Sequence, residues 1–186
     1  MDNIILKKKE IRKEIASLKK QISFDKKVEL SESILCKLES LPSFKNASNI
    51  LLYYSLEDEV QTESFIRKWC KSKNIFLPVV KGDILVIKQY DKDNIKKGSY
   101  SINEPTGGIE VSPEQIELVV VPGVAFDKDC NRLGRGKGYY DKLLPAIKAP
   151  AIGIAFDFQI TNSIPTEETD IPLNGIITET DLILKF

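Results

Sequence analysis

The densest chemistry in the chain lies in residues 127–141, which read DKDCNRLGRGKGYYD. Gly134, Gly136 and Gly138 alternate with Arg135 and Lys137. Arg132 stands just before them, and no acid falls between Asn131 and Tyr140. Glycine lets successive backbone N–H groups converge on an anion, and a following helix terminus adds a favourable dipole. Arg132, Arg135 and Lys137 add side-chain charge, so the pattern fits a polyphosphate. It is neither a GxxxxGK[ST] loop nor a GxGxxG loop, since the third glycine comes one residue early. Glycine-rich turns with basic neighbours also occur as plain solvated loops. What favours an anion site here is position: the segment leaves an apolar strand and enters a helix, where open α/β sheets bind ligands.

The composition narrows the chemistry further. The 186 residues include no histidine, which removes His-dependent serine and cysteine triads, His-ligated zinc and any imidazole acid–base step. Twenty-seven Lys and Arg balance 27 Asp and Glu, so the whole-molecule field gives no reason to expect a nucleic-acid or membrane-surface binder. Cys36, Cys70 and Cys130 form no CxxC pair, which favours a reducing compartment. The N-terminus puts four apolar residues ahead of its charges, unlike a signal peptide. The longest near-apolar run, residues 118–126, is broken by Pro122 and Gly123 and is too short to span a bilayer. The expectation is a soluble cytoplasmic protein of one domain, large enough to fold without disulfides or metal staples.

The elements that must position the glycine-rich segment follow from periodicity. Residues 6–22 predict an amphipathic helix with Ile11, Ile15, Leu18 and Ile22 inward; Lys8 and Arg12 fall together on one border of that stripe. A second helix follows Ser23, with Val28, Ile34, Leu35 and Leu38 inward, and stops at Leu41-Pro42. Residues 49–55 read as a buried strand. Thr62 is placed to cap a helix running to residue 73. Residues 75–80 and 84–90 form a hairpin around Lys81, Gly82 and Asp83, with loops expected at 91–98 and 104–108. Residues 118–122 are the strongest buried strand. Further strands are expected at 151–156 and near Ile176 and Leu182, after a helix that Pro145 shortens or kinks. Strands alternating with helices predict an α/β sandwich with a largely parallel sheet.

RLGRGKGYYD (residues 132–141), preceded by VVVPGVAFD (119–127), closely resembles the signature of the 5-formyltetrahydrofolate cyclo-ligase family, also called 5,10-methenyltetrahydrofolate synthetases. The resemblance continues through the Lys8 and Arg12 pair, the turn at residues 55–60, Asn103-Glu104-Pro105 and the acidic segment around Asp170. One departure is Thr169, where many relatives carry histidine beside the aspartate. The resemblance implies a three-layer α/β sandwich with a largely parallel central sheet and helices on both faces, of the NagB/RpiA/CoA-transferase-like kind, as one domain over residues 1–186. It implies ATP- and Mg²⁺-dependent cyclisation of 5-formyltetrahydrofolate to 5,10-methenyltetrahydrofolate through a phosphorylated formyl (imidate) intermediate. A protein without histidine suits this, because phosphoryl transfer is served mainly by positioning and charge neutralisation.

By the same resemblance, Lys8, Arg12 and residues 132–140 (Arg132, Leu133, Gly134, Arg135, Gly136, Lys137, Gly138, Tyr139 and Tyr140) are ATP contacts. Arg135 and Lys137 are the catalytic cations. Tyr54, Glu59, Tyr100 and the stretch Arg135 to Tyr139 line the folate site, and Asp141 and Asp170 hold magnesium. A carboxylate such as Glu59 accepts two N–H bonds from an aminopyrimidine edge, which supports its assignment chemically. Each assignment has an ordinary alternative. Lys8 and Arg12 are otherwise flanking charges of a surface helix, Tyr54, Tyr100 and one of Tyr139 and Tyr140 packing aromatics, and Asp141 and Asp170 exposed acids. Two other functions stay open at this point: a phosphate- or nucleotide-binding module without catalysis, and a sugar-phosphate isomerase of similar architecture. The partners expected are small molecules, with no nucleic acid or membrane, and the chain is expected to be a monomer or weak dimer.

Overall fold

In the computed structural model, which describes residues 2–98 and 102–185, the chain opens with two long helices, α1 (Asp2–Lys20) and α2 (Phe24–Ser40). The Ser23 hydroxyl caps α2 by accepting from the Lys26 N–H. Pro42 ends that helix and opens the short α3 (Pro42–Asn46). There follow β1 (Asn49–Leu51), α4 (Glu63–Trp69), β2 (Asn74–Lys81), β3 (Ile84–Gln89), β4 (Ile95–Lys97), β5 (Asn103–Pro105) and β6 (Glu110–Val111). The second half adds β7 (Leu118–Val121), β8 (Ala125–Asp127), β9 (Arg132–Leu133), α5 (Tyr139–Leu143), β10 (Ala151–Ile154), β11 (Ile160–Thr161), β12 (Gly175–Ile177) and β13 (Leu182–Leu184).

Eight of these strands form one sheet in the order β13-β12-β10-β7-β1-β2-β3-β6. The five from β12 to β2 are parallel, and β13, β3 and β6 add antiparallel edges. Ile50 lies opposite both Ile75 and Leu118, and Ile152 opposite Val120 and Gly175. Strands sandwiched on both faces must be apolar throughout, which is why β7 and β10 read LVVV and AIGI and are buried at every position. One face packs under α2, α3 and α4 through Ile34, Leu38, Phe44, Phe65 and Ile66. The other is covered by Leu143 of α5, by Leu144 and Ile147 around a 3-10 turn, and by Phe126, Cys130 and Leu173. The expected three-layer α/β sandwich is therefore present, with its second helical layer reduced to one short helix and turns.

Parallel strands end at a common sheet edge, so the chain leaving β1 at Tyr53 and Tyr54 emerges beside the chain leaving β7 at Pro122 and Gly123. A three-stranded sheet, β11-β8-β9, stands there. Helix α1 docks on this sheet: Ile15, with Ile11 and Leu18 beside it, packs on Val124, Ala125, Leu133 and Ile164. That seat brings the Lys8 and Arg12 border to the glycine-rich segment.

Several local expectations are corrected. Thr62 makes no cap bond; its hydroxyl donates to the Tyr53 carbonyl and accepts from the Ser55 N–H, pinning the chain as it leaves β1. The helix after it ends at Trp69, not residue 73. The first expected loop contains β4, and β5, which pairs with it, overlaps the start of the second at Glu104 and Pro105. The helix after the glycines has only five residues, because Pro145 sits in the following 3-10 turn. Among the described residues no helix is long and apolar enough to cross a membrane.

Candidate active site

A cleft of about 860 Å³ opens at this sheet edge, walled by α1, the turn after β1, the β2–β3 hairpin, the glycine-rich segment and residues 167–170. It collects Lys8, Arg12, Tyr54, Glu59, every residue from Arg132 to Asp141, and Asp170. Tyr100, also expected here, lies outside the described residues.

The glycine-rich segment bends as its residue types require. Gly136 (φ 94°) and Gly138 (φ 67°) lie in the left-handed region that side chains strain to enter. Arg12 donates from Nε to the Gly134 carbonyl at 2.9 Å, tying α1 to the loop; burial lowers its guanidinium pKa. On α5, Lys142 bonds the Asp83 carboxylate (2.7 Å) and carbonyl (3.0 Å), clasping the hairpin tip.

Charge is paired across the cleft. The buried Lys8 ammonium donates to Glu167 at 2.8 Å and Asp170 at 2.7 Å. Burial works against its charge, but the two carboxylates outweigh this and leave its pKa raised. The Arg132 side chain is 5% exposed and donates to Asp141 at 2.7 Å. Its guanidinium lies 5.4 Å from the Tyr140 ring centre. Arg135 grips both Asp58 oxygens at 2.8 and 3.1 Å and Glu59 at 3.0 Å. Asp58 also accepts from Lys19 at 3.0 Å. Burial pushes the Asp58 carboxyl up, yet Lys19 and Arg135 hold it below the usual value. Glu59 is 10% exposed at its side chain and accepts from the Leu56 N–H.

Two buried side-chain atoms among the described residues lack a hydrogen-bond partner, Arg132 Nε and the Tyr140 hydroxyl, and both residues line the cleft. Burial raises the Tyr140 pKa strongly, so this hydroxyl keeps its proton and remains a donor. Such orphaned donors fit a wall built for an acceptor-rich ligand. For a divalent metal, Asp141 and Asp170 supply two carboxylates on one cleft, each held by one cation, and no group of three or more metal-type ligands occurs among the described residues. A pair of carboxylates suits Mg²⁺, which keeps several waters and bridges to substrate phosphates.

Sequence reasoning missed Ile5, Tyr53, Glu104, Glu167 and the hairpin residues Pro78, Val80 and Leu85, all of which line the cleft. Ile5 and Lys8 are three positions apart on α1, a spacing that was legible. The hairpin residues carried no chemical signal.

The comparisons with known proteins fit this geometry. The model of the 5-formyltetrahydrofolate cyclo-ligase family matches residues 4–179. The chain belongs to this family. A 5-formyltetrahydrofolate cyclo-ligase of Haemophilus influenzae is 30% identical over 181 residues, covering 92% of this chain and 97% of that one. The solution structure of 5,10-methenyltetrahydrofolate synthetase from Aquifex aeolicus superposes with a TM-score of 0.87 at 34% identity, covering 95% of this chain and 92% of that one. The Mycoplasma pneumoniae synthetase gives 0.75 at 29% identity, covering 92% and 98%. The chain is thus an enzyme of the cyclo-ligase family, a ligase of folate metabolism, and the readings as a non-catalytic module or a sugar-phosphate isomerase fall away.

Proposed function

We propose that this enzyme cyclises 5-formyltetrahydrofolate to 5,10-methenyltetrahydrofolate at the expense of ATP, with Mg²⁺, as one domain over residues 1–186 acting in the cytoplasm. The observation that carries the reading is the convergence of Lys8, Arg12, Arg132, Arg135 and Lys137 on the cleft that also holds Glu59. Five cations on one ligand site suit a triphosphate, and a shielded carboxylate suits the amino-pyrimidine edge of a pterin.

In this scheme the formyl oxygen attacks the γ-phosphorus and ADP leaves, giving a phosphorylated imidate. N10 then attacks the formyl carbon and loses its proton, and phosphate departs as the ring closes. The residues do little covalent work. Lys8, Arg12 and Arg132 hold the phosphates, Arg135 and Lys137 offset charge on the group in transfer, and Tyr54, Glu59, Tyr100 and Tyr139 orient the folate. Such positioning and electrostatic stabilisation are the main means of phosphoryl-transfer catalysis. Asp141 and Asp170 would hold the metal, which when bound neutralises phosphate charge. The test is the absorbance of the methenyl product with 5-formyltetrahydrofolate. It should grow only when ATP and Mg²⁺ are both present, with ADP formed in equal amount. Product without ATP consumption, or none under any condition, refutes the reading.

A further inference from the structure

The cationic side of the cleft is accounted for by phosphate. Another part of the lining comes from the β2–β3 hairpin and the β5 segment, where Pro78, Val80, Leu85 and Ile102 are apolar and Glu104 is the charged side chain among them. Glu104 is 7% exposed. Among the described residues its recorded bond is a long one: Oε1 accepts from the Val80 N–H at 3.4 Å. No ion pair to it occurs among them, Lys96 directly opposite on β4 included. Every other acid of the cleft is held by a cation: Glu59 by Arg135, Asp141 by Arg132, and Asp170 and Glu167 by Lys8.

A carboxylate has room for about four hydrogen bonds. Among the described residues Glu104 uses one, the long bond from the Val80 N–H, in an apolar setting where a further hydrogen bond is electrostatically stronger than in water. A polyanion is repelled from such a position. A neutral, flat ligand rich in N–H groups is attracted to it.

Building on the function proposed above, we propose that Glu104 is a second folate-recognition carboxylate, accepting a hydrogen bond from an N–H of the reduced pterin or of its aminobenzoyl arm. Glu59 and Glu104 then grip one ligand from two walls. The apolar hairpin covers the ring between them, and the phosphates of the nucleotide stay on the cationic side. This assigns a role to the Asn103-Glu104-Pro105 segment, which the sequence left without one.

The variant that tests this is Glu104→Gln in the full chain. The amide oxygen still accepts from the Val80 N–H, so the wall is preserved. The substitution removes the charge and places an –NH₂ donor where the ligand's donor must bind. The KM for 5-formyltetrahydrofolate and its Kd in the absence of ATP should both rise at least tenfold, while kcat, the Kd for ATP and Tm stay close to those of the unaltered enzyme. Unchanged folate affinity overturns the proposal. So does a loss of kcat at constant KM, which would place Glu104 in the chemical step, or a parallel loss of ATP affinity and Tm, which would make it structural. Glu104→Ala separates the last case, since removing the Val80 acceptor must then lower Tm more than the amide does. The unaltered enzyme, assayed alongside, keeps the two readings apart. If it forms no methenyl product, the proposed function fails; if it turns over and the amide variant binds folate normally, only the role of Glu104 fails.

Discussion

Arg135 holds the two neighbouring acids of the β1 turn, yet its side chain remains 49% exposed. Ion pairs of that exposure contribute at most about 1 kcal/mol to folding, whereas removing a donor aimed at developing charge typically costs about 10²–10³ in rate. Arg135→Ala and Lys137→Ala should therefore each lower kcat by about that factor. Tm should move by only about 2–4 °C per kcal/mol lost in a chain of this size. Turnover measured beside a thermal melt decides the matter, and near-normal kcat in both variants would take the loop out of the mechanism. Arg135 also donates to Glu59 at 3.0 Å, so in the proposed function the pterin and Arg135 share that carboxylate.

The glycine-rich segment is aimed by the turn between β8 and β9, and that turn is organised by one side chain. Asp127 is fully buried and accepts from the Asp129 and Asn131 N–H groups, from Asn131 Nδ2, all at 3.0 Å, and from the Ile164 N–H at 2.8 Å. The same turn holds Cys130 at φ 62°, a conformation a non-glycine residue adopts only under constraint. Asp127→Ala would leave these donors without an acceptor, at about 1–3 kcal/mol for each that water cannot reach. The expected result is a destabilisation of about 3–5 kcal/mol in urea unfolding and a higher KM for ATP, because Arg132 is the next residue but one after Cys130. Unaltered stability would show that the packing of Phe126 and Leu133 suffices to hold the turn. Element boundaries obey the same logic of local partners: Ser23 begins α2 as its sequence predicts, whereas Thr62 is drawn to Tyr53 and Ser55 and abandons the cap.

Across the whole molecule, α1 is fastened to the sheet edge by charge at both ends, through Lys8 to residues 167–170 and through Lys19 to Asp58. This makes acid stability partly a property of tertiary contacts. Asp58 has a folded pKa below its ordinary 3.8, because Lys19 and Arg135 outweigh the upward push of burial. Its contribution is thus present above the unfolded value and is lost as pH falls through the folded one. Asp58 is 39% exposed, so solvent screening keeps the contribution to no more than about 1 kcal/mol. Melting temperature followed from neutral pH to about pH 3 should fall less steeply for Asp58→Asn than for the unaltered chain, with the curves converging in acid. Parallel curves would mean that the pair contributes nothing.

What the sequence determined by itself is what depends on neighbours a few residues away. The glycines that need positive φ, the cations between them, the apolar run of β7, the hairpin turn at Gly82 and the cap at Ser23 are all short-range patterns, and each was legible. Tyr139, Tyr140 and Asp141 could be placed beside the loop for the same reason. Periodicity showed which border of α1 carries Lys8 and Arg12, but not what that border meets; Arg12 finds its acceptor 122 residues away. Only the tertiary structure decided that these are cleft residues, that Arg135 reaches back to Asp58 and Glu59, and that Glu104 and the hairpin line the same cleft. The physical reason is that a helical or strand period fixes the direction of a side chain relative to its own element. The partner it meets is fixed by how the elements dock, through the burial of Ile15 against β8 and β9 and the shared edge of the parallel strands.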